Sequence, residues 1–298
     1  MYEEYFEKIR EECLIRNRSY RTADAYVHHI SHFMKWIENK PMEDLTLQDA
    51  RSFILDKRRS GAKASTCNLY NSSICFLYKH VLHIPWDQDT VPRMKLDKKL
   101  PAVLTLEEIE KLIDTATDIR NKAIIALLYS SGLRVGELVR LRPGDIYKST
   151  MQVYIPESKN HSDHWTILSQ RALDLLTEYW RSYPIKRDIL FVTKNGEHTP
   201  LTVNGIQTIL KVIGKAAGIE VHAHMLRHSF ATHMIENGVD MPFVQSMLGH
   251  KCYASTAVYI HVSNKAVMGI KSPLDHPEKA KKKRGRKPKA KDGDQHGQ

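Results

Sequence analysis

Cysteines are scarce in this sequence of 298 residues, and none of them stands in a metal-binding spacing. The four are Cys13, Cys67, Cys75 and Cys252, with no Cys-x-x-Cys pair among them. Structural zinc sites commonly use closely spaced cysteine pairs, and disulfide frameworks are typical of small, cysteine-rich secreted domains. We therefore expect reduced thiols, which are typical of a cytosolic protein, and neither a metal site nor a bound cofactor.

Long apolar runs are also missing. The stretch from Ala123 to Tyr129 is typical of the longest ones, whereas a helix that crosses a membrane needs about 20 apolar residues. Residues 1–10 are charged and lack the apolar centre of a secretion signal. The sequence therefore predicts a cytoplasmic protein that is not associated with a membrane, and its length suits about two domains.

Nearly half of the excess positive charge lies in one short segment. The net charge is +11, and residues 273–298 alone hold nine Lys and Arg against four Asp and Glu. The rest of the chain is only mildly basic, so a polyanion site there must come from a few well-placed residues. Nucleic acid is the first partner class that this pattern favours. An anionic membrane is the second, although no basic amphipathic helix supports it.

The first part of the chain predicts a small helical bundle. After Ser19, which can cap a helix, the apolar residues Tyr26, Ile30, Phe33 and Ile37 recur at spacings of four, three and four. Two further helical segments follow. Residues 83–101 then combine prolines, lysines and aspartates and show little hydrophobic periodicity, which indicates a linker.

The remainder predicts a mostly helical domain with one hairpin. Residues 151–156 and 164–168 alternate apolar and polar side chains around a polar loop. The expected fold is mainly α, in the α+β class, and the small sheet is antiparallel. The predicted organisation is a helical domain at 1–86, a linker at 87–101, the mostly helical domain at 102–272 and a basic, disordered tail at 273–298.

One segment pairs a histidine with an arginine. His224 and Arg227 are three residues apart, so a helix places them on one face. There a guanidinium can neutralise a phosphate and an imidazole can exchange a proton. The same helix could instead carry histidines that only fill a core. A metal pair of His224 and His228 is the third alternative, but the segment lacks the glutamate of the His-Glu-x-x-His motif, and Arg227 would repel a cation.

Four other residues are candidates for the same chemistry. Arg134 follows a glycine turn and opens a helix, Lys159 lies in the hairpin loop, and His250 emerges from a Leu-Gly turn. Tyr259 follows nine residues later and becomes a nucleophile only if cations stabilise its phenolate. Taken singly, each has a simpler explanation: a surface salt bridge, a solvated lysine, a turn residue or a packing aromatic.

In this order, these residues resemble the active site of the tyrosine recombinase (phage integrase) family. The resemblance covers about residues 105–265, and the two-domain plan is most similar to the Xer group. It is carried by SGLRVGEL at 131–138, HMLRHSFATH at 224–233, GVD at 238–240, LGH at 248–250 and the tyrosine at 259. The sequence departs from the family at Ala223, where proline is frequent, and in its basic tail.

The resemblance implies a site-specific recombinase that cuts and rejoins DNA through a 3′-phosphotyrosine intermediate, for integration, excision or resolution. The N-terminal domain would be the family's SAM-like core-binding domain, and the tail favours a mobile element over a housekeeping role. Tyr259 is the implied nucleophile, and the implied catalytic set is completed by Arg134, Lys159, His224, Arg227 and His250.

The implied partners are double-stranded DNA with paired recombination sites and three further copies of the chain, in a homo-tetramer that is a dimer of dimers. A second recombinase or an accessory factor is compatible with this picture. Two alternatives remain: a non-catalytic, sequence-specific DNA-binding protein, and a type IB topoisomerase-like enzyme that relaxes DNA. The expected DNA contacts come from basic residues, namely Arg16, Arg18, Arg21, Lys63 and Lys159.

Overall fold

The computed structural model describes residues 2–38, 40–96, 101–156, 163–182, 188–193 and 199–249. The chain divides into two compact units, residues 1–99 and 100–298. The predicted fold class, mainly helical with a small antiparallel sheet, is confirmed. Within the described ranges, no helix combines the length and the apolar character that a membrane crossing requires.

The first unit contains four helices among its described residues. Ser19 caps the second helix as the sequence predicts, because its side chain accepts the backbone N–H of Thr22 at 3.1 Å. The periodic residue Phe33 of that helix is fully buried and meets Phe53 edge to face, with ring centres 5.2 Å apart. The helices are α1 (Glu3–Ile15), α2 (Tyr20–Trp36), α3 (Leu47–Arg59) and α4 (Ala64–His80).

The chain that follows α4 lies back against that helix. The Asn68 side chain donates to the carbonyl of Met94 at 2.9 Å and accepts the Met94 N–H at 2.8 Å. Asn71 donates to the carbonyl of Val91, which is buried. Two buried amides thus bind this part of the predicted linker to the first unit. The domain boundaries given by the sequence stay predictions.

The second unit contains seven helices and three strands among its described residues. The strands form an antiparallel sheet in the order β1-β2-β3, with Tyr154 opposite Trp165. The elements are α5 (Leu106–Thr115), α6 (Ile119–Ser130), α7 (Val135–Leu138), β1 (Ile146–Tyr147), β2 (Gln152–Ile155), β3 (His164–Ile167), α8 (Gln170–Ser182), α9 (Val203–Ala217), α10 (Ala223–Glu236) and α11 (Met241–Leu248).

Helix α6 lies at the centre of the second unit. Its residues 123–128 are all buried, and it packs against α5, α8 and α10. An apolar helix covered on every side has no polar face, which explains why its sequence lacks an amphipathic pattern. The main core of the unit therefore forms around this helix.

A glycine turn ends α6 and leads toward α7. Gly132 has a φ of +61°, in the left-handed region that disfavours other residues. A Cβ atom there would lie 2.4 Å from the ring of Phe230 in α10. The turn therefore needs glycine for two reasons, its backbone conformation and the close approach of α10.

We expect Gly132→Ala to lower the free energy of unfolding by about 3–4 kcal/mol, since backbone strain and a steric clash add. Gly218→Ala is the matched control, because Gly218 has a φ of +71° but a Cβ atom there would meet none of the described atoms within 4 Å. It should lose only the backbone contribution, about 1–2 kcal/mol. Urea unfolding of both variants measures the difference. Equal losses of unfolding free energy would show that the Phe230 ring moves aside without an energetic penalty.

Candidate active site

Arg134 is held at the start of α7 by a glutamate one turn further on. Its backbone N–H donates to Glu137 Oε2 at 2.7 Å, and its Nη1 donates to Glu137 Oε1 at 2.7 Å. At the start of the helix, the Glu137 carboxylate thus binds both the backbone N–H and the guanidinium group of Arg134. The side chain keeps about a quarter of its surface exposed, at 23%. A guanidinium fixed in this way is oriented before any ligand arrives.

Arg227 reaches the same carboxylate from α10. The residue is only 3% exposed. Its Nη1 donates to the carbonyl of Gly132 at 2.8 Å, and its Nη2 donates to the carbonyl of Leu248 at 2.6 Å. Nη1 also lies 3.7 Å from Glu137 Oε2. Arg227 therefore ties together the turn after α6, the start of α7 and the end of α11.

Glu137 lies between these two cations and is itself buried, with 6% exposure. Two guanidinium groups so largely withdrawn from water would repel each other without a counter-charge, and one carboxylate offsets part of that repulsion. One net positive charge remains. The arrangement can thus bind an anion such as a phosphate at the side that Arg134 leaves exposed.

His224 lies one turn before Arg227 on the same helix. Burial lowers the pKa of His224, and the positive charges of Arg227, His222 and Arg134 lower it further. The neutral imidazole is thereby favoured at neutral pH, the form that can accept a proton. His224 thus lies close enough to Arg227 and Arg134 for both charges to act on it.

The other histidines of α10 have structural positions. His222 caps the helix, since its Nδ1 accepts the N–H of Met225 at 3.2 Å. Burial, followed by the charges of His224 and Arg227, lowers the pKa of His228 to about 4. Over the described ranges, no three His, Cys, Asp or Glu side chains converge as a metal site.

His164 adjoins the site and was not a candidate from the sequence. It is buried in β3, and its ring lies 2.7 Å from where a Cβ of Gly249 would stand. Gly249 ends α11 with a φ of +60°. The alternation of residues 164–168 places His164 on the inward face, which predicts only a core position. Its contact with a glycine 85 positions away has no local sequence signal.

Three of the predicted catalytic residues, Lys159, His250 and Tyr259, lie outside the described residues. The four basic residues proposed for DNA binding in the first unit are all exposed. Arg18 lines a cavity of about 270 Å³ with Lys79 and His80, at the end of α4. Lys63 directly precedes α4. The length of that helix, roughly 25 Å, therefore separates Lys63 from Lys79 and His80.

Arg16 and Arg21 have different neighbours. Arg16 forms an ion pair with Glu12 of α1. Arg21 lines a second cavity of about 270 Å³ beside Leu69 of α4. Arg16 and Arg18 both lie near His80 at the end of α4, and the cavities that Arg18 and Arg21 line share Tyr26 and Ser72. Of the four residues, Lys63 stands apart, at the other end of α4.

The position of Glu137 generates a stability prediction. Glu137→Gln should lower the free energy of unfolding by about 3–5 kcal/mol, because two largely buried cations lose their counter-charge. Glu110→Gln is the control: Glu110 lies 2.6 Å from Arg171, but both side chains are about half exposed, so its loss should cost less than about 1 kcal/mol. Thermal and urea unfolding measure both variants. Equal, small effects would mean that Glu137 does not hold the arginines.

Comparison with known proteins assigns the two parts of the chain. Residues 102–266 match the phage integrase family, and residues 5–88 match the phage integrase N-terminal SAM-like domain. The tyrosine recombinase XerC of Bacillus licheniformis is 31% identical over 286 residues, which cover 90% of this chain and 93% of that protein.

Two solved structures have the same fold. The crystal structure of XerA recombinase is 26% identical, has a TM-score of 0.52 and covers 90% of this chain and 96% of its own. A lambda integrase tetramer bound to a Holliday junction is 18% identical, has a TM-score of 0.71 and covers 91% of this chain and 79% of its own. The two matched ranges and the similarity to XerC indicate one family, and the arginine pair around Glu137 is consistent with it. The chain therefore belongs to the phage integrase family of tyrosine recombinases.

Proposed function

We propose that this recombinase cuts and rejoins DNA at paired sites through a 3′-phosphotyrosine intermediate on Tyr259. The observation that supports the proposal best is the pairing of Arg134 and Arg227 with one buried carboxylate, Glu137. The charges of the same two arginines help to keep His224 neutral. The family match supports it too, since it continues to residue 266 and so includes Tyr259.

The arginines act on the charge of the transition state. When a nucleophile adds to a phosphodiester, the pentacoordinate phosphorus carries additional negative charge on its non-bridging oxygens. Arg134 and Arg227 stabilise these oxygens as a pair, and the bonds to Glu137 and to the backbone orient them beforehand. His250, which follows Gly249 in the sequence, donates one further hydrogen bond to a non-bridging oxygen.

Two proton transfers accompany the cleavage. The Tyr259 phenol loses its proton to the neutral imidazole of His224 and attacks the phosphorus. The bond from phosphorus to the 5′ oxygen breaks, and Lys159 gives that oxygen its proton. The 5′-hydroxyl of a partner strand then attacks the phosphotyrosine, with both proton transfers reversed. The covalent intermediate conserves the energy of the phosphodiester, so the reaction needs no ATP.

DNA is held by both units in this proposal. The exposed arginines and Lys63 of the first unit contact backbone phosphates, which supply most of the affinity. Because the lambda integrase structure named above is a tetramer on a Holliday junction, we propose four copies of this chain, a dimer of dimers, on paired sites. The basic tail adds non-specific phosphate contacts.

A plasmid experiment distinguishes this function from its two alternatives. A binding site is first selected from random duplex DNA with the full-length chain and then cloned once or twice into supercoiled plasmids. Recombination only on the plasmid with two sites supports the proposal. Relaxation without recombination would favour a topoisomerase-like enzyme, and binding without any covalent adduct would favour a non-catalytic DNA-binding protein.

Tyr259→Phe should abolish the covalent adduct and leave DNA affinity within about twofold, since only the phenolic oxygen is lost. The assay is denaturing electrophoresis of a nicked substrate that traps the adduct. Tyr20→Phe is the control, because Tyr20 is an exposed tyrosine of the first unit; it should form the adduct normally. An adduct that persists in Tyr259→Phe would remove Tyr259 as the nucleophile.

Lys159→Ala should slow cleavage by about 10²–10³ on a normal substrate, because the leaving oxygen loses its proton donor. A 5′-thio substrate should be cleaved at nearly the unmodified enzyme's rate, since a thiolate leaves without protonation. Lys148→Ala, which removes a lysine that lies over the Trp180 ring, should affect neither substrate. A rate loss that is the same for both substrates would exclude Lys159 as the general acid.

A further inference from the structure

Three aromatic rings line the outer face of the small sheet, and the recombination chemistry does not use them. Tyr147, Tyr154 and Trp165 come from β1, β2 and β3 in turn. The Trp165 ring lies 4.8 Å from that of Tyr147 and 5.0 Å from that of Tyr154. Tyr147 and Trp165 are 42% and 43% exposed. We name these three residues the aromatic face.

Two carboxylates, those of Asp163 and Asp145, adjoin this face. The Tyr154 hydroxyl donates to Asp163 Oδ2 at 2.9 Å. This hydrogen bond raises the pKa of Tyr154, as do burial and the negative charges of Asp163 and Asp145. The neighbouring lysine in the sequence, Lys148, lies over the Trp180 ring of α8 instead.

The three rings together with the adjacent carboxylates favour a positively charged binding partner. The faces of aromatic rings attract Lys and Arg, and nearby carboxylates strengthen that attraction. The same carboxylates repel the phosphates of DNA. The aromatic face therefore fits a basic peptide better than it fits a nucleic acid.

The same chain contains a basic segment that can reach the aromatic face. Residues 281–289 contain seven Lys and Arg in nine positions and no acidic residue. The described chain reaches Gly249 against the ring of His164, the residue directly before Trp165. The family match ends at residue 266, and the 14 residues from 267 to 280 can span up to ~50 Å when extended. We propose that the segment 281–289 docks on the aromatic face of its own chain.

The docked segment is withdrawn from DNA. Each Lys or Arg that lies over a ring or beside Asp163 is not available to a phosphate, so docking lowers non-specific DNA affinity. DNA at high local concentration competes for the same cations and releases the segment. The aromatic face thus limits how strongly the tail holds the protein on arbitrary DNA.

Tryptic cleavage of the full-length chain tests the docking. Trypsin cuts after Lys and Arg, and a docked segment is protected. Trp165→Thr, which keeps a β-forming residue on the strand, should speed cleavage within residues 279–291 by about three- to tenfold, as expected for the loss of one or two cation–π contacts. Asp163→Asn keeps all three rings and should speed it less, by about twofold.

Phe243→Ala is the matched control, because it removes an exposed ring from α11. It should leave the cleavage rate unchanged. Intact-mass spectrometry measures the initial rates. Unchanged cleavage in both Trp165→Thr and Asp163→Asn overturns the proposal, and so does an equal increase in Phe243→Ala.

A photo-crosslinker identifies the occupant directly. Benzoylphenylalanine at position 147 of the full-length chain should crosslink to peptides from residues 279–291. In a mixture of ¹⁵N-labelled and unlabelled protein, both halves of the crosslinked peptide should carry the same label. Mixed labels, a peptide from elsewhere in the chain, or crosslinking to added DNA bases would each overturn the proposal. None of these measurements depends on recombination, so their failure leaves the proposed reaction untouched.

Discussion

The carboxylate of Glu137 lies between two guanidinium groups that would otherwise repel each other. It accepts from Arg134 at 2.7 Å and lies 3.7 Å from Arg227. Around this ion triad, three segments far apart in sequence come together: the turn after α6, the start of α7 and the end of α11. Glu137 offsets the repulsion between the two guanidinium groups, and its hydrogen bonds also fix the position of Arg134. The geometry that we propose for phosphate binding is thus also part of what holds the fold together.

Local interactions explain what the sequence predicted well. The cap at Ser19 is formed within a few residues, and it is present. The hairpin follows from alternation, which β2 and β3 obey. The motif around Arg134 and the motif around Arg227 could be recognised because each has a dense, short pattern.

Tertiary contacts explain what the sequence did not reveal. β1 has only two residues and shows no periodicity to detect. The position of Glu137 between two arginines depends on how α10 lies against the α6 turn, across 90 residues of chain. His164 has the alternation of a core residue, and its contact with Gly249 exists only in the folded state. The roles of Lys159, His250 and Tyr259 stay predictions.

Strand β3 serves both sides of the sheet at once. His164 and Thr166 point inward, where Thr166 donates to the carbonyl of Ser131 at 2.8 Å, next to the glycine turn. Trp165 points outward to the aromatic face. Because neighbouring residues of a strand face opposite ways, one register fixes both surfaces. A slip by one residue would place the indole against α11 and the imidazole in solvent.

The burial of α6 on all sides has a consequence for the order in which the second unit opens. Backbone amides exchange with solvent when their segment opens, and segments with the most buried contacts open last. We expect the amides of residues 123–128 to belong to that slowest class, because all six residues are buried. Arg134 follows this helix after one turn, and Arg227 lies on α10, which packs against it. We therefore expect partial opening elsewhere in the unit to leave the two guanidinium groups in register. The two arginines would then keep their arrangement around Glu137 as long as α6 and α10 stay packed together.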